Sequence, residues 1–144
     1  MLVEPEKLFV PECSSASNVV WVRNVTQLVG VELTARYDPN IVQVIDADRT
    51  QPGVQVRVEG AFSSGFIVRN EVNTQTGSIQ FAAILLQGQV NGETSLFVVD
   101  WQAQNRGSTE LAFERVILVN AAGQSIDHFD QNGFIETPGC SQIP

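Results

Sequence analysis

Few side chains in this 144-residue sequence have the types and spacing that chemistry requires. His128 is the single histidine, so no histidine-rich metal set can assemble, and its place beside Phe129 in a polar stretch suits an exposed or capping role better than general-base work. Neither G-x-S-x-G, H-E-x-x-H nor a phosphate-cradling loop occurs. The acidic pairs Asp46/Asp48 and Asp127/Asp130 have the chemistry to bind calcium or to flank a glycosidic bond, but both lie in turn-prone stretches where solvated carboxylates are ordinary. The run DQNG from Asp130 to Gly133 looks like the start of a calcium loop. Its glycine falls at the fourth place rather than the sixth, and Ser141 stands at the twelfth, where a bidentate Glu is needed, so it reads as a turn. Asn24-Val25-Thr26 fits the N-glycosylation sequon, which has consequences only in a eukaryotic secretory pathway. Trp21 and Phe66 are candidates for stacking on sugar rings. Trp101 falls on an apolar side and the single tyrosine, Tyr37, at a proline corner, so no three-ring platform emerges. The sequence thus favours a protein that is not an enzyme and carries no cofactor or metal of its own.

Composition narrows the alternatives. Formal net charge is -8, from 16 acidic and 8 basic residues. That balance opposes nucleic acid or anionic lipid as partner, since phosphates need clustered Lys and Arg. With 43% hydrophobic residues the chain is long enough to close a core of its own, and residues 1–144 read as one domain with its core at about residues 7–137. No apolar run reaches membrane-spanning length, so no membrane insertion is expected. The start, MLVEPEKLFV, has neither a basic n-region nor a long apolar h-region, and any secretion signal is expected to have been removed or to lie upstream. Cys13 and Cys140 make an even pair near opposite ends; their number alone leaves both a bridge and two unrelated thiols open.

The elements that position these residues read as short strands. In LVGVELTARYDPNIVQVI, from Leu28 to Ile45, Val31, Leu33, Ala35 and Tyr37 alternate with Gly30, Glu32, Thr34 and Arg36, the period of a half-buried strand. Pro39 lacks a donor and restricts Asp38, so pairing should stop there before Ile41 to Ile45 restart it. Before this stretch, KLFVP is a first strand, Cys13 to Asn18 a loop or a crossing between strands, and Val19 to Val25 a strand. After it come a turn-rich DADRTQPG, an alternating Val54-Val56-Val58 segment, a break at GAFSSG, and a hairpin of Phe66 to Val72 with Ser78 to Leu86. Gln87 to Glu93 reads as a loop. Ser95 to Gln104 is a strand with Phe97, Val99, Trp101 and Ala103 on one side, and Thr109 to Asn120 a strand with an irregularity at Glu114-Arg115. FIE, Phe134 to Glu136, is the last. About nine short strands punctuated by Gly, Pro, Asn and Ser turns, with no sustained 3.6-residue period, predict an all-β sandwich.

In this order the pattern resembles a cohesin domain, the receptor module of cellulosome scaffolding and cell-surface proteins. VRNVTQLVGVELTARYDPNIVQVIDAD is similar to the cohesin segment with a valine-rich strand, an N-V-x-x-L turn and a strand ending in YDP; GFIVRNEVNTQTGSIQFAAILLQG, SLFVVDWQAQNRGSTELAF and NGFIE resemble the later hairpin, strand pair and closing strand. Gly30 and Glu32 stand where many cohesins of the best-known type carry Asn and Asp. The resemblance implies a nine-stranded jelly-roll sandwich whose first and last strands run parallel as neighbours. KLFV and GFIE would then lie side by side, and Cys13 and Cys140 would leave the same end of the sandwich. The resemblance therefore implies a Cys13–Cys140 disulfide closing almost the whole chain, worth roughly 3 to 5 kcal/mol in the loop-entropy account. It also implies an extracellular or cell-surface setting and a monomeric module that binds a dockerin-bearing protein, any calcium belonging to the dockerin.

The same alternation locates the implied binding face. If Val31, Leu33, Ala35 and Tyr37 point inward, Gly30, Glu32, Thr34 and Arg36 form the open surface; on the neighbouring strand Ile79, Phe81, Ala83 and Leu85 are inside, and Gln80, Ala82, Ile84 and Leu86 outside. Two large aliphatics, Ile84 and Leu86, rimmed by Glu32, Arg36 and Arg69, suit either a partner surface or a cover by one of the chain's own loops. Cohesins bind dockerin through this sheet, so the resemblance points to a partner. The expected contact set is Gly30, Glu32, Thr34, Arg36, Arg69, Glu71, Gln80, Ala82, Ile84, Leu86, Ile117 and Val119. A carbohydrate-binding module on a similar sandwich, or a structural domain of a surface protein, is the alternative.

Overall fold

The computed structural model describes residues 1–140, so the last four residues of the expected domain, Ser141 among them, lie outside it. The chain begins with two short strands, β1 (Leu2–Glu4) and β2 (Lys7–Phe9), where one was expected. Pro5, which has no N–H to give a ladder, stands between them, and each pairs in a different layer. Met1 and Val3 are buried, so the core begins ahead of residue 7.

The 22-residue β3 (Ser15–Arg36) merges two expected strands and absorbs most of the expected Cys13–Asn18 loop. It remains continuous by bending: Asn24 and Gln27 have φ of 58° and 56°, and the ladder slips between Val22, Val25 and Leu28. Asn24 has the short polar side chain that tolerates this left-handed conformation, and the Gln27 N–H is held there by the Asn91 side-chain oxygen at 2.9 Å. The chain then forms β4 (Val42–Val44), the two-residue β5 (Arg57–Val58) and a 3-10 helix, Gly60–Ser64, at the expected GAFSSG break. Of the Val54–Val58 alternation only β5 is a strand, with Val54 making an isolated bridge to Val72. The remaining strands are β6 (Phe66–Asn73), β7 (Ser78–Ile84), β8 (Val90–Ala103), β9 (Gly107–Asn120) and β10 (Gly133–Thr137). β8 starts inside the expected Gln87–Glu93 loop because Val90 and Gly92 pair with the bend of β3.

These ten strands make the two layers of an all-β sandwich that share β3. Its first half pairs with β1 and β8, and β8 carries β4 and β5 on its other edge. Its second half lies between β7 and β9 in the order β2-β10-β9-β3-β7-β6. As the jelly-roll picture requires, β2 and β10 are parallel, with Leu8 opposite Ile135. Beyond their ends a disulfide joins Cys13 to Cys140, whose Cα atoms are 4.3 Å apart.

The inward period predicted for β3 and β7 fills the space between layers. Val31, Leu33, Ala35, Ile79, Phe81 and Ala83 are buried against Phe97, Val99 and Trp101 of β8, with the Phe81 and Phe97 rings 5.0 Å apart. Trp101 stacks edge-on against Tyr37 at 4.9 Å, and its Nε1 donates to Asn18 Oδ1 at 2.9 Å. Asn18 in turn donates to the Pro5 carbonyl at 2.9 Å, so this buried amide is satisfied on both sides. At the proline corner the Asn40 N–H donates to Asp38 Oδ1 at 2.9 Å, and the Tyr37 hydroxyl donates to Gln43 Oε1 at 3.0 Å. Burial pushes that hydroxyl up to about 12, a backbone hydrogen bond at Val44 pulling the other way. Tyr37 therefore anchors the corner from inside.

Candidate partner-binding face

The second layer turns one face inward and leaves the other open. Register alone arranges the open face into cross-strand rows, because residues directly opposite in a ladder point the same way. The first row is Phe66, Ile84, Gly30 and Val119; the second Arg69, Ala82, Glu32 and Ile117; the third Glu71, Gln80, Thr34 and Arg115. A fourth holds Asn73, Ser78, Arg36 and Ala112. Eleven of the twelve expected contact residues thus fall on one face of four adjacent strands, and Leu86 follows two residues beyond β7.

The face has an apolar end and a charged end. At the apolar end Ile84 is 41% exposed and Leu86 73%, and Phe66, opposite Ile84, is 55% exposed, so none of the three is covered by the chain's own loops. Gly30 departs from expectation: it is buried, because Val119 and Ile84 close over it from both sides. Those two aliphatics flank its backbone from the neighbouring strands, and it offers no surface of its own. Phe66 was missed as part of this face, since only the β6–β7 register sets it against Ile84.

At the charged end the Arg36 Nε lies 2.8 Å from Glu114 Oε1. The ladder passes from Thr34–Arg115 to Ala35–Phe113 and leaves Glu114 unpaired, so the irregularity expected at Glu114-Arg115 is a bulge that turns a carboxylate toward Arg36. Arg69 donates to Gln80 Oε1 at 3.0 Å, and its Nε is 3.5 Å from Glu71 Oε1. Among the described residues no ion pair is recorded for Glu32 or Arg115, which sit diagonally to each other on β3 and β9. Glu114 and Arg115 were absent from the expected set. The bulge signal in the sequence identified the place without revealing which way the side chains would go.

The other chemical candidates have structural partners. Asp46 Oδ1 accepts the N–H groups of Asp48 and Gln55, and Asp48 accepts from Thr50, an interaction that holds the Asp48 carboxyl below its usual range. No cluster of three metal-ligating side chains occurs among the described residues. His128 bridges Asp130 and the Val116 carbonyl. Trp21 is only half exposed, and the Arg23 guanidinium lies 5.3 Å above its ring while pairing with Glu4 and Glu93. That ring face is taken.

Neither family models nor curated proteins yield a match to this sequence. Solved structures do. A type II cohesin domain from the cellulosome of Acetivibrio cellulolyticus aligns with a TM-score of 0.77 at 13% identity, covering 93% of this chain and 92% of that one. A non-cellulosomal cohesin from the archaeon Archaeoglobus fulgidus aligns at 0.72 with 17% identity over 94% and 88%. The sixth cohesin of A. cellulolyticus scaffoldin B, solved in complex with a Cel5 dockerin mutant, aligns at 0.68 with 11% identity over 94% and 96%. The β-sandwich described above is the cohesin fold.

Proposed function

We propose that this chain is a non-catalytic interaction module that binds a dockerin module and so attaches its bearer to a scaffold or cell surface. The observation that carries the reading is the open face of β6, β7, β3 and β9, where Phe66, Ile84 and Leu86 stand exposed beside a rim of paired and unpaired charges. An apolar centre with a polar rim is the anatomy of a protein interface. The same fold in A. cellulolyticus has been captured in complex with dockerins.

In this mechanism the sheet is preformed and the partner's helices are laid on it. Phe66, Ile84 and Leu86 supply apolar contact. The Arg36–Glu114 pair holds both side chains in place before the partner arrives, while Glu32 and Arg115 are free to choose a partner of complementary charge. The module itself needs no cofactor, calcium belongs to the dockerin, and it works as a monomer outside the cell, where the Cys13–Cys140 bridge persists. Calorimetry against dockerin modules encoded in the same genome tests the reading: binding supports it, and failure of every one to bind overturns it. A cellulose pulldown and glycan array serve as the contrasting arm.

A further inference from the structure

The second half of β9 has no strand on one side. β10 pairs only with Gly107 to Leu111, and beyond that the chain itself returns: Asn120 N–H donates to the Gln124 carbonyl at 2.9 Å, Ser125 bridges Val119, and the Ile126 N–H donates to the Leu118 carbonyl at 2.8 Å. The next rung is made by a side chain. His128 Nε2 lies 3.1 Å from the Val116 carbonyl oxygen, while its Nδ1 lies 2.7 Å from Asp130 Oδ1. Residues 121–128 therefore form a strap along the free edge of β9, beside the strand that carries Ile117 and Val119.

Both partners of the ring accept hydrogen bonds and neither can donate. A neutral imidazole has one N–H, so either tautomer satisfies one partner and sets a lone pair against the other; an imidazolium satisfies both. We infer that His128 is held as an imidazolium and acts as a positioning residue, a protonated latch that fixes the strap on β9 and so makes the Ile117–Val119 end of the open face responsive to pH. The Asp130 and Asp127 carboxylates favour the charged ring, and the Met1 ammonium, which shares Asp130, opposes it. Asp130 faces the ring directly, and the same Asp130 oxygen lies 3.7 Å from the Met1 ammonium, which donates to the Phe129 carbonyl at 2.7 Å. Asp127 is next to it on the strap, and from β9 the ring meets the Val116 carbonyl; no ion pair to a β9 side chain is recorded for it among the described residues. Deprotonation removes one of two charge-assisted contacts and frees the last rung of the strap. The inference rests on the proposed function only where it reaches partner binding; the latch itself is a property of the free module.

The test uses the isolated protein. Ring nitrogen NMR shifts across about pH 5 to 8, the range in which imidazoles ordinarily titrate, report the protonation of His128, and amide exchange of Ile126 reports the strap. The expected result is two protonated ring nitrogens at the acidic end, with Ile126 protection falling about tenfold or more as the ring deprotonates, beyond the intrinsic pH dependence of exchange. In His128→Gln, Ile126 should be poorly protected at every pH while Phe81 and Leu33 amides keep their protection, showing an intact core. A ring carrying one proton throughout, or Ile126 protection that neither pH nor His128→Gln alters, overturns the latch. If a dockerin binds the wild type, His128→Gln should lose the pH dependence of that affinity. Loss of the latch with binding retained, and absence of binding with the latch intact, are separate outcomes, so the two readings fail independently.

Discussion

Leu86→Asp probes the apolar end of the open face at the point where fold and recognition separate most cleanly. Leu86 is 73% exposed and lies beyond the last residue of β7, so the free domain loses little when it becomes polar; the expected stability change is within about 0.5 kcal/mol. In a complex the same side chain would be covered. Full burial of a leucine is worth about 1.5 to 3 kcal/mol, and nearly three-quarters of that is still to be gained here, so covering Leu86 contributes about 1 to 2 kcal/mol. An aspartate forced into the same place forgoes that gain and must shed its water without a partner, about 1 to 3 kcal/mol more. The sum, about 2 to 5 kcal/mol, weakens binding by roughly thirty- to several-thousandfold. Ile84→Asp removes about half as much contact, since Ile84 is 41% exposed, and also disturbs the row with Gly30. The assay is calorimetry with a dockerin that the wild type binds, alongside a thermal melt. An unchanged melt with affinity within threefold of wild type would refute the placement of Leu86 in the interface.

Three further outcomes follow from the fold. Gly30→Ala puts a methyl group 3.6 Å from Val119 Cβ and 3.7 Å from Ile84 Cγ2, ordinary contact, at an extended position; it should raise stability by about 0.5 to 1 kcal/mol in a denaturant titration, and a loss would show the row to be tighter than described. Replacing both Cys13 and Cys140 by serine should cost roughly 3 to 5 kcal/mol, and mass spectrometry of alkylated, unreduced protein should find no free thiol. Tyr37 sets the alkaline limit: its hydroxyl, near 10 when unfolded, titrates at about 12 when folded. Its contribution is complete below pH 10 and is lost as pH rises from about 10 to 12, on the order of 2 kcal/mol; Tyr37→Phe should remove that fall, and an identical alkaline profile would contradict it.

Much of this architecture is written locally. Period-two alternation in Val31 to Tyr37 and Ile79 to Leu85 sets which side chains face the core, and Pro39 with Asp38 sets where β3 must stop. The Glu114-Arg115 irregularity is visible because no single register buries both Phe113 and Leu118. What could not be read depends on contacts distant in sequence. The bend at Asn24 and Gln27 keeps β3 continuous only because β8 follows it as far as Val90. Gly30 reads as open surface until Val119 and Ile84 are brought together over it, and Arg36 reads as a free cation until the β9 bulge delivers Glu114. Phe66 reads as an isolated ring until β6 takes its register on β7.

The central claim is that the open face of β6, β7, β3 and β9 receives a dockerin. Amide exchange of this domain with and without a dockerin encoded in the same genome tests it most directly. Protection should concentrate on the four strand segments that carry the open face, Phe66 to Asn73, Ser78 to Leu86, Gly30 to Arg36 and Ala112 to Val119, with β1, β4 and β5 unchanged. Protection centred on the opposite layer, or none with any dockerin, would contradict it.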